Sequence, residues 1–412
     1  MIFSIAWKNV WRNKLRSLIV ISSIIIGLLG GIFYLAVAKG MVQQQVNSAI
    51  HNEISNIQLH HPEFLINDEI RYTIQNPDEK VGQIKKLAGI SEVTSRITSP
   101  AMISSAITGT GIFIRGINVE KEQKITDIHS LLVDGTYFDS PIKNQILIGE
   151  KLATKLKVKV KSKIVVTIQS VSGDILYAAF RVVGIYKTNN SNFDQTNVFV
   201  KKEDLVNILG FDKTKATEIA VLLSHNNLTD TTASKIKKMF SSEIKAKTIV
   251  VQTWDEISPV LKMMNEMTVQ YSMIFVIIIL VALSFGIINT MLMAIMERVR
   301  EIGMLMAIGM NKSKVFFMIL LETVFLSITG GFFGLAISWV IVQITATTGI
   351  DLSVIADGLN SMGYSSFLYP ELEFDYYILI GVLVVVTAIL ASIMPARKAL
   401  KFNPVEAVRH DA

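Results

Sequence analysis

The sequence lacks several features that would mark an enzyme. Among its 412 residues there is no cysteine, so disulfide bonds, thiol catalysis and cysteine-ligated zinc are excluded for this chain. Its six histidines are scattered. The adjacent His60 and His61 would point to opposite faces of a strand, so we expect a surface or core role for them rather than metal binding.

Nucleotide-binding signals are also missing. The phosphate-binding pattern G-x-x-x-x-G-K-S/T does not occur, and Gly109-Thr110-Gly111 lacks the helix start that would cradle a phosphate. We therefore expect no enzyme activity, no cofactor and no metal on this chain.

Long apolar runs, by contrast, are abundant. Four runs are long enough to cross a hydrocarbon core about 30 Å thick, and a polar stretch of about 230 residues separates the first from the second. They are Leu18–Ala38, Tyr271–Met296, Val315–Thr345 and Tyr376–Met394. Ala36-Val37-Ala38 resembles a signal cleavage site, but the run before it is too long for a signal peptide, so we expect a retained helix.

The charge of the short segments predicts the orientation. Segments rich in basic residues contain Lys8, Arg12, Lys14 and Arg16; Arg298, Arg300, Lys312 and Lys314; and Arg397, Lys398, Lys401 and Arg409. The segment 349–375 contains acids but no Lys or Arg. Since basic short loops stay in the cytoplasm, we expect both termini inside and the large polar domain outside. The basic flanks partly account for the net charge of +6, so no nucleic-acid partner is expected.

These patterns predict a membrane α-helical protein with four transmembrane helices and a large α+β extracytoplasmic domain. The predicted segments are an amphipathic helix at 1–16, crossings at 17–39, 269–296, 315–345 and 376–394, the external domain at 40–268, a cytoplasmic segment at 297–314, an external loop at 346–375 and a cytoplasmic tail at 395–412. Phe3, Ala6, Trp7, Val10 and Trp11 recur at helical spacing, which is typical of an interfacial helix.

Within the external domain, strand and helix patterns follow the order βαββ, then an insertion, then βαβ. The first strand is expected at Ile54–His60, where apolar residues alternate. The two outer parts span 50–117 and 211–254, and the insertion spans 118–210. The insertion is mostly β, and Gly173-Asp174 predicts a hairpin turn between its paired runs Ser162–Gln169 and Ile175–Tyr186.

Two places in the membrane part are candidates for function. Glu322 is an acid deep in a crossing, and we expect it to bond a neighbouring crossing or the 297–314 segment rather than to relay ions. Apolar residues at the outer ends of the first two crossings could form a pocket for acyl chains or could be ordinary helix packing. They are Phe33, Met41, Val42, Met263, Met264, Met267, Tyr271 and Phe275.

The segment after the second crossing carries a recognisable motif. Glu297–Gly309 reads E-R-x-R-E-I-G-x-L-x-A-I-G, and Pro395–Arg409 reads P-A-R-K-A-x-x-x-x-P-V-E-A-V-R. Together with Ala6–Ser17, Ile114–Asn118 and Ile146–Leu156, these motifs resemble the FtsX-like permease family of ABC transporters. Without the resemblance, the apolar stripe at 304–308 predicts only a short helix that lies on lipid, docks into a partner or serves as a plain connection.

The resemblance implies a MacB-like (type VII) architecture. Two four-helix permeases, identical or homologous, would pair in the bacterial inner membrane, and two separate ATPase subunits carrying ATP and Mg would bind below. The external domain would consist of porter-like and sabre-like parts. The residues implied to couple to the ATPase are Glu297, Arg298, Arg300, Glu301, Ile302, Gly303, Leu305, Ala307, Ile308 and Gly309.

Within the family, Ile57–Phe64 looks most similar to lipoprotein-releasing permeases. This implies a lipoprotein or lipid-like substrate and a periplasmic chaperone or adaptor as a further candidate partner. The turn Ser170–Ile175 is short and lacks proline, unlike the long hook of chaperone-recruiting members, so the chain resembles their hookless partner. The alternatives are an exporter of peptides, antibiotics or other amphiphiles, and a permease that signals without transport.

Overall fold

The computed structural model describes residues 2–139 and 142–400. The segment 401–412, with Lys401, Arg409 and most of the predicted C-terminal motif, lies outside the described residues.

Helices are numbered in chain order. They are α1 Ile2–Arg12, α2 Lys14–Ala49, α3 Phe64–Asn67, α4 Pro77–Ile84, α5 Val119–Glu122, α6 Glu150–Leu156, α7 Ser191–Thr196, α8 Lys202–Leu209, α9 Thr229–Met239, α10 Ser241–Lys245, α11 Trp254–Ile257, α12 Pro259–Glu297, α13 Val299–Ala307, α14 Lys312–Thr348, α15 Ala356–Ser361 and α16 Phe374–Ala399.

Strands are numbered in the same way. They are β1 Ile57–His60, β2 Ile74–Gln75, β3 Ile90–Ser104, β4 Gly109–Ile117, β5 Leu132–Gly135, β6 Gln145–Gly149, β7 Lys163–Gln169, β8 Ile175–Tyr186, β9 Asn197–Lys201, β10 Lys215–Ala216, β11 Glu218–Leu223, β12 Val250–Thr253, β13 Ile350–Asp351 and β14 Phe367–Leu368.

The chain divides into two compact units. The helix unit comprises 2–42, Asn265–Asp351 and 367–400, and the lobe comprises Gln43–Met264 and Leu352–Ser366. Among the described residues, four helices are long and apolar enough to cross a membrane. With the mixed sheet of the lobe, they confirm the predicted class of a membrane α-helical chain with a large α+β domain.

Small residues let the long helices of the helix unit approach closely. A Cβ added at Gly334 would lie 2.8 Å from Leu28 Cδ1, and one added at Gly330 would lie 3.1 Å from Ile24 Cβ. The glycine-rich stretch of α14 therefore packs closely against α2. Leu28 and Ile24 are both buried in the core of this unit.

The sheet of the lobe has ten strands, in the order β12-β1-β11-β3-β4-β9-β6-β8-β5, with β7 pairing to β3 and β8. The first half of β3 pairs with β11, while its second half pairs with β4 and β7. The pairings β3-β4-β9-β6-β8-β7 return to β3 and so form a closed ring. This closure leaves β4 without a free edge.

The ring corrects the predicted bounds of the insertion. We assigned β3 and β4 to the outer part and began the insertion at residue 118. In the structure β4 pairs in parallel with β9, and Ile112 and Ile114 share a core with Ile146. A 15-residue strand is long enough to pair with both layers, so β3 belongs to both.

The outer part keeps the predicted order. Strands β12, β1, β11 and the start of β3 form an antiparallel layer, and its core includes Val81 of α4 and Ile236 of α9. The predicted start of one strand is wrong: the strand expected from Ile54 begins at Ile57, because Ile50–Ile54 is a π-helix that continues α2.

The hairpin turn predicted within the insertion is present. Gly173 has φ +94°, and Ser170 N donates a hydrogen bond to Asp174 O at 2.8 Å.

The two adjacent histidines lie in different surroundings. His60 is buried, with Nε2 2.8 Å from Gln58 Oε1, while His61 stacks on Tyr72 at 5.3 Å between ring centroids. Within the described ranges, no group of three or more His, Asp or Glu side chains could hold a metal ion.

Candidate functional site

The predicted coupling segment folds as a short helix between two turns. Helix α12 ends at Glu297, Arg298 leaves the helical conformation, and α13 follows from Val299 to Ala307. The turn after α13 contains Gly309 at φ +100°, a conformation that favours glycine. Asn311 then caps α14, since its side chain accepts a hydrogen bond from Ser313 N at 3.1 Å.

Helix α13 has one buried face and one exposed apolar face. Ile302 and Gly303 are buried, and Ile302 joins the core of the helix unit. Ile308, just after the helix, is 85 % exposed and Met304 is 45 % exposed. Two members of the predicted apolar stripe thus face outward, where they are available to lipid or to a partner. Leu305 is half-buried, and Arg300, Ala307 and Gly309 are exposed.

Glu322 of α14 is a buried member of a polar network. Asn9 of α1 donates from Nδ2 to Glu322 Oε1 at 2.5 Å. Arg298 Nη1 lies 3.2 and 3.3 Å from the two carboxylate oxygens of Glu322. A buried carboxylate needs such partners, because its desolvation costs several kcal/mol. The structure thus places Glu322 against Arg298 of the predicted coupling segment.

The network continues outward to α1. Arg298 Nε donates to Glu301 Oε2 at 3.0 Å, and Arg12 Nη2 lies 2.7 and 2.5 Å from the two carboxylate oxygens of Glu301. We call Asn9, Arg12, Arg298, Glu301 and Glu322 the ion network. It joins α1, α13 and α14 at one end of the helix unit.

The charges of this network reinforce one another. The hydrogen bonds from Arg12 first, and then those from Arg298, hold the pKa of Glu301 below its ordinary value. Burial alone would lower the pKa of Arg298, but the carboxylates of Glu322 and Glu301 raise it above the ordinary value. Both groups therefore remain charged at neutral pH.

Sequence reasoning missed Asn9. It lies on the side of α1 that holds the buried Ala6 and Val10, not on the exposed side with Trp7 and Trp11. A polar residue beside a buried apolar stripe is the signal that could have identified it.

A second feature of the helix unit is an apolar cleft of about 520 Å³ between α2 and α12. Its lining consists of Val20, Ser23, Ile24, Ile26, Gly27, Gly30, Gly31, Phe275, Ile279, Ala282, Leu283, Gly286, Ile287 and Thr290. The two hydroxyls bond within their own helices, since Ser23 donates to Ile19 O and Thr290 to Gly286 O, each at 2.8 Å. The cleft therefore offers its occupant a nearly apolar surface.

This cleft differs from the predicted pocket. Of the predicted cavity residues, Phe275 lines it, with its ring 3.8 Å from that of Tyr34. Val42 is buried, Phe33, Met41 and Met264 are half-buried, and Met263, Met267 and Tyr271 are exposed. The cleft lies deeper along the helices than the predicted pocket. Gly30 and Gly286 line it at positions where an added Cβ would meet no atom within 4 Å.

Comparisons with known proteins give two family matches. The family described as MacB-like periplasmic core domain matches residues 17–239, and the family described as FtsX-like permease C-terminal matches residues 273–404. The first of these covers more than half of the chain.

Curated relatives are similar over part or all of the chain. The macrolide export ATP-binding/permease protein MacB of Escherichia coli is 28 % identical over 231 residues, which are 55 % of this chain and 33 % of that protein. The lipoprotein-releasing system transmembrane protein LolC of Neisseria meningitidis serogroup B is 23 % identical over 97 % of this chain and 96 % of that protein. The pyoverdine export ATP-binding/permease protein PvdT of Pseudomonas entomophila is 25 % identical over 98 % of this chain and 58 % of that protein.

The match thus spans about a third of the length of MacB. Among solved structures, the extracellular domain of the transporter YknZ from Gram-positive bacteria matches 48 % of this chain at 16 % identity, with a TM-score of 0.35. The periplasmic region of MacB from Actinobacillus actinomycetemcomitans matches 50 % of this chain at 14 % identity, with a TM-score of 0.36.

Proposed function

We propose a function from the premise that this chain belongs to the family of ABC transporter permeases that combine a MacB-like periplasmic core with an FtsX-like permease C-terminal region. Four apolar helices and this family fit a multi-pass inner-membrane protein. The proposal is that the chain extracts lipoproteins from the outer leaflet of the inner membrane. Both termini would lie in the cytoplasm and the lobe in the periplasm.

The observation that carries the proposal is the cleft between α2 and α12. Its volume of about 520 Å³ lies in the range of ligand pockets, and its lining is apolar except for two hydroxyls that are already bonded. A hydrophilic solute would lose its hydration in such a cleft without gaining partners. An acyl chain would lose nothing, so a lipid anchor fits the site.

Two copies of a separate ATPase, holding ATP and Mg, would bind at α13. The exposed Met304 and Ile308 offer that subunit an apolar contact, and Arg300 offers a charged one. On this proposal ATP-driven closure of the ATPases displaces α13, and α12 and α14 transmit the displacement. Gly303 is buried on the opposite face of α13, where a larger side chain would overpack the contact with the helix unit. Replacing Gly303 by Leu should therefore uncouple ATP hydrolysis from release.

Export of an amphiphile is the second candidate, because an apolar cleft would also accept the apolar part of such a molecule. Relatives named for macrolide and pyoverdine export support this candidate. The permease pair, identical or homologous, and a periplasmic chaperone or adaptor would belong to either assembly.

The test is purification with the cognate ATPase in lipid nanodiscs, followed by mass spectrometry of what co-purifies. A triacylated protein would support extraction, whereas an amphiphile without protein would favour export and contradict our proposal.

The variant that tests the cleft itself is Gly30→Leu, because Gly30 lines the cleft and a Cβ there meets no atom within 4 Å.

We expect Gly30→Leu to lower the amount of co-purified lipoprotein roughly tenfold. The leucine side chain would take up space that the acyl chain needs, and crowding of this kind costs about 1–3 kcal/mol. Ala336→Leu introduces the same side chain at an exposed position of α14 and serves as the control. Equal loading of the two variants would argue against the cleft as the substrate site.

A further inference from the structure

Helix α1 is packed against α14 as well as bonded to it. The Trp7 ring lies 5.4 Å from the Phe325 ring at an interplanar angle of 83°, and the Phe3 ring lies 5.8 Å from it. Ala6 and Val10 on the same helix are fully buried. Such edge-to-face pairs add to the apolar burial. The helix that the sequence assigns to the lipid interface is therefore held on one side by protein.

Helix α1 is also tied to the start of α2. Ser17 on the first turn of α2 donates its hydroxyl to the carbonyl of Val10, and a single residue, Asn13, separates the two helices. A displacement of α1 must therefore move the end of α2, since the connection leaves almost no slack.

The ion network adds a direct bond from α13 to α1. Arg12 donates two hydrogen bonds to Glu301, and Arg298 links Glu301 to Glu322, which Asn9 also bonds. Guanidinium–carboxylate bonds of this kind are charge-assisted and geometrically specific. When α13 moves, α1 therefore has a bonded route by which to follow it.

We infer that α1 is a second arm of the coupling device, in which Arg12 is the positioning residue that carries the displacement of α13 through α1 into α2. The inference rests on the proposed coupling of α13 to an ATPase. It extends that proposal, because it gives α2 an input of its own, in addition to those of α12 and α14. Glu301 is then an internal bond of the permease rather than a contact to the ATPase.

The Arg12–Glu301 pair is well suited to a test, because its side chains are 53 % and 42 % exposed. Exposed ion pairs contribute little to stability, so variants of this pair should fold. Glu322, by contrast, is buried, and its loss would disturb packing as well as coupling. Lys8 is an exposed cation one turn earlier on α1 and provides the charge-matched control.

The experiment uses the full chain with its cognate ATPase in nanodiscs and Mg·ATP as the only ligand. Arg12→Gln and Glu301→Gln should each lower permease-stimulated ATP hydrolysis roughly threefold to fivefold, the ceiling set by an exposed ion pair. The double variant should fall no further, because both changes remove one bond. Arg12→Lys should recover much of the loss, and Lys8→Gln should have no effect.

A second readout follows the motion itself. Because the chain has no cysteine, Lys8→Cys and Lys312→Cys can be spin-labelled selectively in otherwise unchanged protein. We expect the distance between the labels to stay constant when Mg·ATP is added, and to change when Arg12→Gln is also present. A purely structural role of Arg12 would leave both distances equal.

The outcomes separate this inference from the proposed function. Additive losses in the double variant, or unchanged label distances with Arg12→Gln, would overturn the inference while the chain still stimulates its ATPase. If the wild-type chain fails to stimulate any cognate ATPase, both the inference and the proposed coupling are wrong. If the Gly30 test fails while the Arg12 variants behave as expected, only the proposed substrate is lost.

Discussion

The two units of this chain both bury charged side chains, but they do so differently. In the lobe, the guanidinium of Arg96 is 1 % exposed and bonds Glu122 at 2.6 Å and Glu218 at 2.7 Å. In the helix unit, Glu322 is buried, whereas Arg12 and Glu301 at the other end of the ion network are exposed. A network closed to solvent cannot break without leaving a buried charge, while one with an exposed end can exchange its bonds for water. The comparison therefore predicts that the lobe network is rigid and that the exposed end of the ion network is adaptable.

Breaking the lobe network should give the largest effect. Arg96→Met leaves two buried carboxylates without their cation, and we expect the free energy of unfolding to fall by about 3–5 kcal/mol. Hydrogen exchange of the full chain, read from peptides of β3 and β11, measures the change. Lys237→Met is the control, because Lys237 and Glu256 are 43 % and 42 % exposed in their pair, and the change should cost about 1 kcal/mol or less. If the two variants show equal protection from hydrogen exchange, the buried lobe network is no more important for stability than an exposed ion pair.

Loss of charge at the buried end of the ion network should come next. Glu322→Gln preserves size and an acceptor for Asn9, but it removes the partner of Arg298. We expect a loss of about 1.5–3 kcal/mol, the range for hydrogen bonds to charged groups. Unfolding of the chain in mixed micelles provides the measurement. Glu371→Gln, an exposed acid of the same unit, should change little, and a similar loss there would contradict the assignment.

The turn after α13 should be less sensitive. Gly309→Ala places a side chain at φ +100°, and we expect a cost of about 1–2 kcal/mol together with weaker stimulation of the ATPase. Gly331→Ala is the control, since Gly331 lies within α14 and a Cβ there meets no atom within 4 Å. If both variants behave like the wild type, the turn does not constrain α13.

A fall in pH should have the smallest of these effects on the stability of the helix unit. Burial alone would raise the pKa of Glu218 in the lobe, but Arg96 and Arg115 hold it below its ordinary value of 4.5. Arg12 and Arg298 do the same for Glu301. A carboxyl with a lowered pKa stabilises the fold above its ordinary pKa, and this contribution is lost as the pH falls through the folded-state value.

Below pH 4.5 we therefore expect the lobe to lose more stability than the helix unit, where exposure limits the Glu301 contribution to about 1 kcal/mol or less. Hydrogen exchange at several pH values measures both units in one sample. Glu301→Gln should flatten the small acid response of α13 and leave that of β11 unchanged. A larger loss in α13 than in β11 would reverse the comparison.

Local patterns predicted much of this architecture. The apolar runs predicted four spanning helices, and alternation predicted most strands of the lobe, because both signals depend on residues close together in sequence. The start of β1 was wrong by three residues, since π-helical turns carry no simple sequence signal. The bounds of the insertion were wrong because alternation cannot tell which layer a long strand such as β3 joins.

The sequence likewise predicted only part of the candidate site. The motif at Glu297–Gly309 predicted a coupling segment, but not the bond from Asn9 to Glu322, since these residues lie 313 positions apart in the sequence. The predicted pocket was placed at the outer ends of the helices because Met and Phe residues stand out there. The cleft lies deeper, where glycines leave space, and a space is visible only after the helices are packed.

By itself, the sequence determined which segments are apolar enough to cross a bilayer, which alternate as strands, and which short segments carry the positive charge. These properties follow from residues that are neighbours along the chain. The closed ring of strands, the cleft between α2 and α12, and the ion network from α1 to α14 were decided only by tertiary structure. Each depends on side chains that packing brings together from distant parts of the sequence. Burial makes an unpaired charge costly, and a position without a side chain leaves a cavity between packed helices.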